Sequence, residues 1–212
     1  MTLHSLKSLF LLAAATAAFA FAADAPAQEA PDALVKRITA EVMDTAKNDK
    51  EIKAGNRKRI LQVVEDKILP HVDLERTVSM AVGRHWREAT PQQRRQLTEE
   101  FRTMLIRTYA GALSLVGDQK LVYMPLRAAP DDTDVTVRFE VRQLRGRDPV
   151  QVSYRLYKAT DGWKVYDVNV LGVWLVETYK SSFSNEIARD GIDGLIRTLS
   201  DRNRELAARA TG

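Results

Sequence analysis

Between residues 134 and 170 the chain alternates apolar and polar side chains almost without a break. In DVTVRFEVR, Val135, Val137, Phe139 and Val141 fall on one face, and Thr136, Arg138, Glu140 and Arg142 on the other. Residues 149–158 repeat the pattern with Val150, Val152, Tyr154 and Leu156, and WKVYDVNV (163–170) is a third such run. Successive side chains of a strand point to opposite faces, so these are strands with one buried and one wet face. The connections RGRD and TDG are hairpin-length, which requires an antiparallel meander. LVYMPL (121–126) joins as an edge strand, because Pro125 has no N–H to give to a ladder. Strict alternation in the third run puts Tyr166, Val168 and Val170 on one face, and Asp167 and Asn169 on the other with Trp163 and Val165.

A sheet buried on one side needs a cover, and the flanking sequence supplies helices. From Asp32, Leu34, Val35, Ile38, Val42 and Ala46 share a helical face. A second helix follows Asn56, with Ile60, Val64 and Ile68 as its stripe, and Pro70 stops it. Asp73 caps a third, short helix that ends at Gly83. Thr90-Pro91-Gln92-Gln93 is the clearest start signal: a capping threonine, proline at the first helical position and glutamine where a capping box needs it. That helix should run to about Leu115. After Gly172 the period turns helical again, with Leu175, Val176, Tyr179, Phe183 and Ile187 on one stripe, interrupted at Gly191 and Gly194. The fold expected is α+β: N-terminal helices and a C-terminal helical segment against one face of a curved antiparallel sheet of about four strands, cone-like around an apolar cavity.

The N-terminus belongs outside this domain. Residues 1–23 carry one lysine, Lys7, then an uncharged run and small residues in A-x-A spacing at Ala20-Phe21-Ala22, the pattern of a secretory signal peptide. Residues 24–31 are a polar leader expected to be disordered, 32–200 form the domain, and 201–212 a frayed tail. The sequence has no cysteine, so neither a lipid anchor at the cleavage site nor a disulfide is possible, and stability must come from packing. Export implies a periplasmic, soluble product. The net charge of +4 is too small to argue for nucleic acid.

Sites for bond chemistry are scarce. His71 and His85 sit in no metal-ligand spacing, and no P-loop, G-x-S-x-G or dinucleotide fingerprint occurs. Asp131, Asp132 and Asp134 lack the spacing of a calcium loop and mark a turn. Asp167 has two readings: a carboxylate that pins the following loop, or a catalytic acid in a cone-shaped fold such as that of small isomerases or hydratases, where Tyr154 could also serve. No second acid–base partner is visible in the sequence. No metal, cofactor or catalytic residue is assigned.

Two stretches carry a family resemblance. One is residues 68–113, with P-H-x-D at Pro70 and W-R-x-A-T-P-x-Q-R from Trp86. The other is GWKVYDVNVLGVWLVETYKSSF (162–183), followed by GIDGLIRTL. Together they resemble MlaC, the toluene-tolerance or ABC-transporter auxiliary family of periplasmic phospholipid-binding proteins. The resemblance implies a non-enzymatic carrier that moves phospholipid between an inner-membrane ABC transporter complex with a lipid-binding ring protein and an outer-membrane lipoprotein–porin complex, and so supports outer-membrane lipid asymmetry. A polycyclic membrane lipid is an alternative cargo, and a solid-cored adaptor an alternative class. Where the family has a small serine, this chain has Trp174, which lies off the apolar stripe of the last helix. A carrier would wall its pocket with Val137, Phe139, Val152, Tyr154, Val168 and Val170 from the sheet, and with Phe101, Leu105, Tyr109, Leu175, Tyr179 and Phe183 from the helices. Alternation and amphipathicity tell which side is buried, never whether the space beyond is empty.

Overall fold

The structure is a computed structural model that describes residues 28–143 and 148–209. The expected signal peptide and residues 24–27 of the expected leader lie outside those residues, as does most of the RGRD turn. Helix α1 (Pro31–Asn48) leads to a single turn, α2 (Lys50–Lys53), and then to α3 (Arg57–Val63). The α3 stripe expected to continue to Ile68 widens into a π-helical turn, Val64–Ile68, and a 3₁₀ turn, Leu69–His71, before Val72. Asp73 then starts α4 (Leu74–Val82) by accepting the N–H of Arg76 at 2.8 Å. The same residue's own N–H donates to the Val165 carbonyl at 2.8 Å, which docks the helix start on the sheet.

Helix α5 (Pro91–Tyr109) opens on the capping box: Thr90 Oγ1 accepts the Gln93 N–H at 3.2 Å, and Gln93 Oε1 accepts the Thr90 N–H at 2.9 Å. Its last turn tightens into a 3₁₀ segment, Ala110–Leu115. The meander follows in sequence order: β1 (Lys120–Tyr123), β2 (Asp134–Arg142), β3 (Val150–Ala159), β4 (Gly162–Val170) and β5 (Val173–Trp174), all antiparallel. The sheet thus has five strands rather than four. Val173 and Trp174, expected in the helix, form the fifth by folding back on β4 through Leu171 and Gly172, both with positive φ (53° and 90°). Two such residues make the turn that suits a two-residue hairpin.

The pairing of β3 with β4 holds one irregularity. Arg155 pairs with Asp167 but Leu156 pairs with Val165, so Tyr166 is an extra residue, a β-bulge. The bulge overturns the strict alternation expected there. Trp163 and Val165 join Val168 and Val170 on the core face, while Asp167 and Asn169 stay on the other.

Helix α6 (Leu175–Arg209) closes the fold and bends at Gly191, where φ 69° and ψ −175° leave the helical region. It remains regular beyond residue 200, where a frayed tail was expected. Asn203 is buried, and its amide donates to the Glu100 carbonyl at 2.8 Å and carboxylate at 2.7 Å, tying the end of α6 to α5.

Three apolar clusters hold these pieces. Leu34 and Val35 of α1 pack on Val135, Val137, Phe139, Val152, Leu156 and Trp163 of the sheet. Helices α4, α5 and α6 share a second core around Phe101, Leu97, Phe183 and Leu195. A third, built on Ala46, Ile52, Ile60 and Val63, packs against Leu113 and Val116. None of the three fills the space where they meet.

Candidate functional site

That space is a cavity of about 770 Å³. Its floor is the β3–β4 end of the sheet, with Tyr154, Val165, Val168 and Val170. One wall is α5 and its 3₁₀ extension, with Leu105, Ile106, Tyr109 and Leu113. The facing wall is the π-turn and the start of α4, with Val64, Ile68, Leu69, Val72 and Leu74. Val173, Leu175 and Thr178 close the end where β5 passes into α6. The cavity reaches solvent where its lining is exposed, at Tyr109 (54%), Val170 (45%) and Val173 (62%).

Of the twelve residues expected to wall a pocket, Leu105, Tyr109, Tyr154, Val168, Val170 and Leu175 line this cavity. The other six pack elsewhere. Val137, Phe139 and Val152 lie under α1, because α1 covers the β2 side of the sheet. Phe101 and Phe183 are buried in the three-helix core, their rings 5.3 Å apart, and Tyr179 stacks edge-on to Phe101 at 4.8 Å. Trp174 does not line the cavity; its ring lies 3.8 Å from the Arg155 guanidinium. The π-turn wall was not anticipated as lining. Its apolar stripe at Val64 and Ile68 was visible, but nothing local says which partner that stripe faces.

The polar inventory is small. Among the described residues, Arg102 and Asp167 are the charged members of the lining. The Asp167 side chain is fully buried. Its Oδ1 accepts the N–H groups of Val168 (2.9 Å) and Val176 (3.1 Å), and its Oδ2 accepts from Arg155 (3.2 Å). It therefore ties β4 to the first turn of α6, as a pinning carboxylate would. Burial raises its pKa, against the lowering effects of those N–H groups and of Arg155. Burial also pushes the Tyr154 hydroxyl up to about 12, so it stays protonated. His85 Nδ1 sits 2.9 Å from Glu88, and burial lowers the pKa of His71. Among the described residues no three metal-ligating side chains converge.

A native carboxylate with a raised pKa binds its proton before the unfolded chain does. Its contribution to stability is full below the ordinary value of 3.8 and is lost as pH rises through the raised native value. Asp167→Asn keeps an oxygen for the two backbone N–H groups but gives up the ion pair with Arg155. Urea unfolding should find it within about 1 kcal/mol of the parent at neutral pH. Its stability should vary less with pH from 3.8 upward. An unchanged pH profile would show that Asp167 does not carry this linkage.

Comparison with known proteins bears on what such a hollow holds. The family model described as MlaC protein matches residues 36–201. The chain belongs to the MlaC family. The intermembrane phospholipid transport system binding protein MlaC of Haemophilus influenzae is 26% identical over 203 residues, covering 94% of each chain. The toluene tolerance protein ttg2D of Pseudomonas putida is 27% identical over 169 residues, covering 79% of this chain and 77% of its own. Among solved structures, the phospholipid-binding protein of Ralstonia solanacearum, determined in complex with a phospholipid, is 46% identical. It superposes with a TM-score of 0.79 over 83% of this chain and 98% of its own. The α+β architecture is thus that of an MlaC-family member with a known lipid complex.

Proposed function

We propose that this protein is a periplasmic phospholipid carrier that holds acyl chains in the cavity and does no bond chemistry. The observation that carries the reading is an apolar hollow of about 770 Å³ in a fold shared with a phospholipid-bound relative. The cavity opens to solvent at Tyr109, Val170 and Val173, so without a ligand its apolar lining faces water, at roughly 25 cal/mol per Å². Water is a poor occupant, since it needs two to four polar partners and this lining is almost wholly aliphatic and aromatic. Taking a methylene as about water-sized, ~30 Å³, the space holds roughly 25. A diacyl lipid has about thirty, each costing about 0.8 kcal/mol to expose, so the carrier removes most of the barrier to crossing water.

The lipid contacts proposed are the six anticipated residues that line the cavity, with the π-turn wall opposite them. The signal-peptide pattern of residues 1–23 supports a periplasmic location. No helix among the described residues is long and apolar enough to cross a membrane. Membership in the MlaC family supports the proposed partners, an inner-membrane ABC transporter complex with its lipid-binding ring protein and an outer-membrane lipoprotein–porin complex. The isomerase or hydratase reading finds no supporting observation, since both oxygens of Asp167 are engaged, Oδ1 in holding β4 to α6 and Oδ2 with Arg155 of β3.

Native mass spectrometry of protein purified from its own host tests the reading. The expected spectrum shows one-to-one complexes with phospholipid. A ligand-free protein that also extracts no phospholipid from vesicles would refute it.

A further inference from the structure

We infer that Arg102 is the phosphate-binding residue of this site, receiving the phosphodiester of a lipid whose chains lie in the cavity. The inference rests on the carrier reading. A phospholipid's phosphate lies where its acyl chains end, so with the chains in the hollow it emerges at the rim. Of the two charged residues in the lining, Asp167 is an anion engaged on all sides, which leaves Arg102 as the cation among the described lining residues.

Its position suits the role. Arg102 lies on α5 one turn before Leu105 and Ile106 of the cavity wall. Its side chain is 26% exposed, between the dry interior and solvent. Nη2 is 3.0 Å from Glu65 and Nη1 3.3 Å from Glu99. Glu65 belongs to the π-helical turn whose Val64 and Ile68 line the opposite wall. The Arg102–Glu65 pair therefore spans the seam between the two walls. Both carboxylates are more than half exposed, and water-exposed ion pairs of this kind contribute little. A guanidinium fork matches two phosphate oxygens, and the paired charges would otherwise be shared with water-facing carboxylates that are readily released. Arg102 thus exchanges Glu65 for the lipid phosphate on loading, at the seam between α5 and the π-turn rather than at the opening marked by Tyr109, Val170 and Val173.

Delipidated protein incubated with phosphatidylglycerol vesicles containing a labelled diacylglycerol of the same chains tests this. The readout is the ratio of the two lipids loaded, in which the chains cancel and the phosphate remains. Arg102→Gln should lower the phospholipid-to-diacylglycerol ratio about tenfold, the scale of one charge-assisted contact. Glu65→Gln, which removes the competing carboxylate, should raise it about threefold. A ratio unchanged in Arg102→Gln, or unchanged or lowered in Glu65→Gln, overturns the assignment. Inorganic phosphate titrated into the lipid-free protein should bind the parent no better than Arg102→Gln. An Arg102-dependent phosphate affinity with an unchanged lipid ratio would assign the residue to a free anion instead, and overturn the lipid role. A parent protein that loads neither lipid refutes the carrier reading itself. One that loads both, with a ratio indifferent to Arg102, refutes only this step.

Discussion

Val168→Trp should abolish most lipid extraction while leaving the protein folded. Val168 pairs with Tyr154 across β3 and β4, and both side chains form the cavity floor. An indole there occupies the space of roughly three methylenes of bound chain. At about 0.8 kcal/mol each, the loss is about 2.4 kcal/mol, or on the order of fiftyfold in affinity. The ring enters a hollow rather than a packed core, so overpacking strain is small and stability should move by no more than about 1 kcal/mol. Extraction from phosphatidylglycerol vesicles, with urea unfolding alongside, measures both quantities. Extraction within threefold of the parent, in a protein of unchanged stability, would place the acyl chains somewhere other than this cavity.

Phe101→Ala should do the reverse. Phe101 is fully buried, with its ring centroid 4.8 Å from Tyr179 and 5.3 Å from Phe183 in the core that joins α4, α5 and α6. Removing it leaves a void that three packed helices cannot close, and such truncations cost about 3–5 kcal/mol. Urea or thermal unfolding should show that loss. The folded fraction should still take up phospholipid, because Phe101 does not line the hollow. Wild-type stability with abolished uptake would mean that Phe101 is a lipid contact after all.

The contrast between these two residues marks the limit of what the sequence conveys. Phe101 and Leu105 lie one turn apart on the same apolar stripe of α5, and both were candidates for the pocket wall. Phe101 sits at the centre of the three-helix core against α6, while Leu105 packs at that core's edge and also lines the hollow, a difference set by where α6 crosses α5. A helical wheel carries no information about that crossing. Likewise Val137 and Val168 belong to equally regular strand patterns, and only the position of α1 over β2 decides which is core and which is floor. Features written in local chemistry were legible. The Thr90 capping box, the Asp73 cap, the antiparallel meander and the helical break at Gly191 all follow from nearby residues. The β5 hairpin was missed because Leu171 takes a left-handed conformation that a leucine gives no reason to expect. The bulge was missed because Tyr166 sustains the alternation that it interrupts in space.

That bulge sets a rule for how chains of this kind can vary in length. Val165 and Asp167 pair with adjacent residues of β3, so the ladder closes over Tyr166 as though it were absent. Losing a residue at this one spot would leave Val168 and Val170 over the hollow. An insertion just one step later, between Asp167 and Val168, would invert the row beyond it and present Asn169 to the cavity. Gaps between otherwise similar relatives should therefore gather at Tyr166 and avoid the four residues that follow.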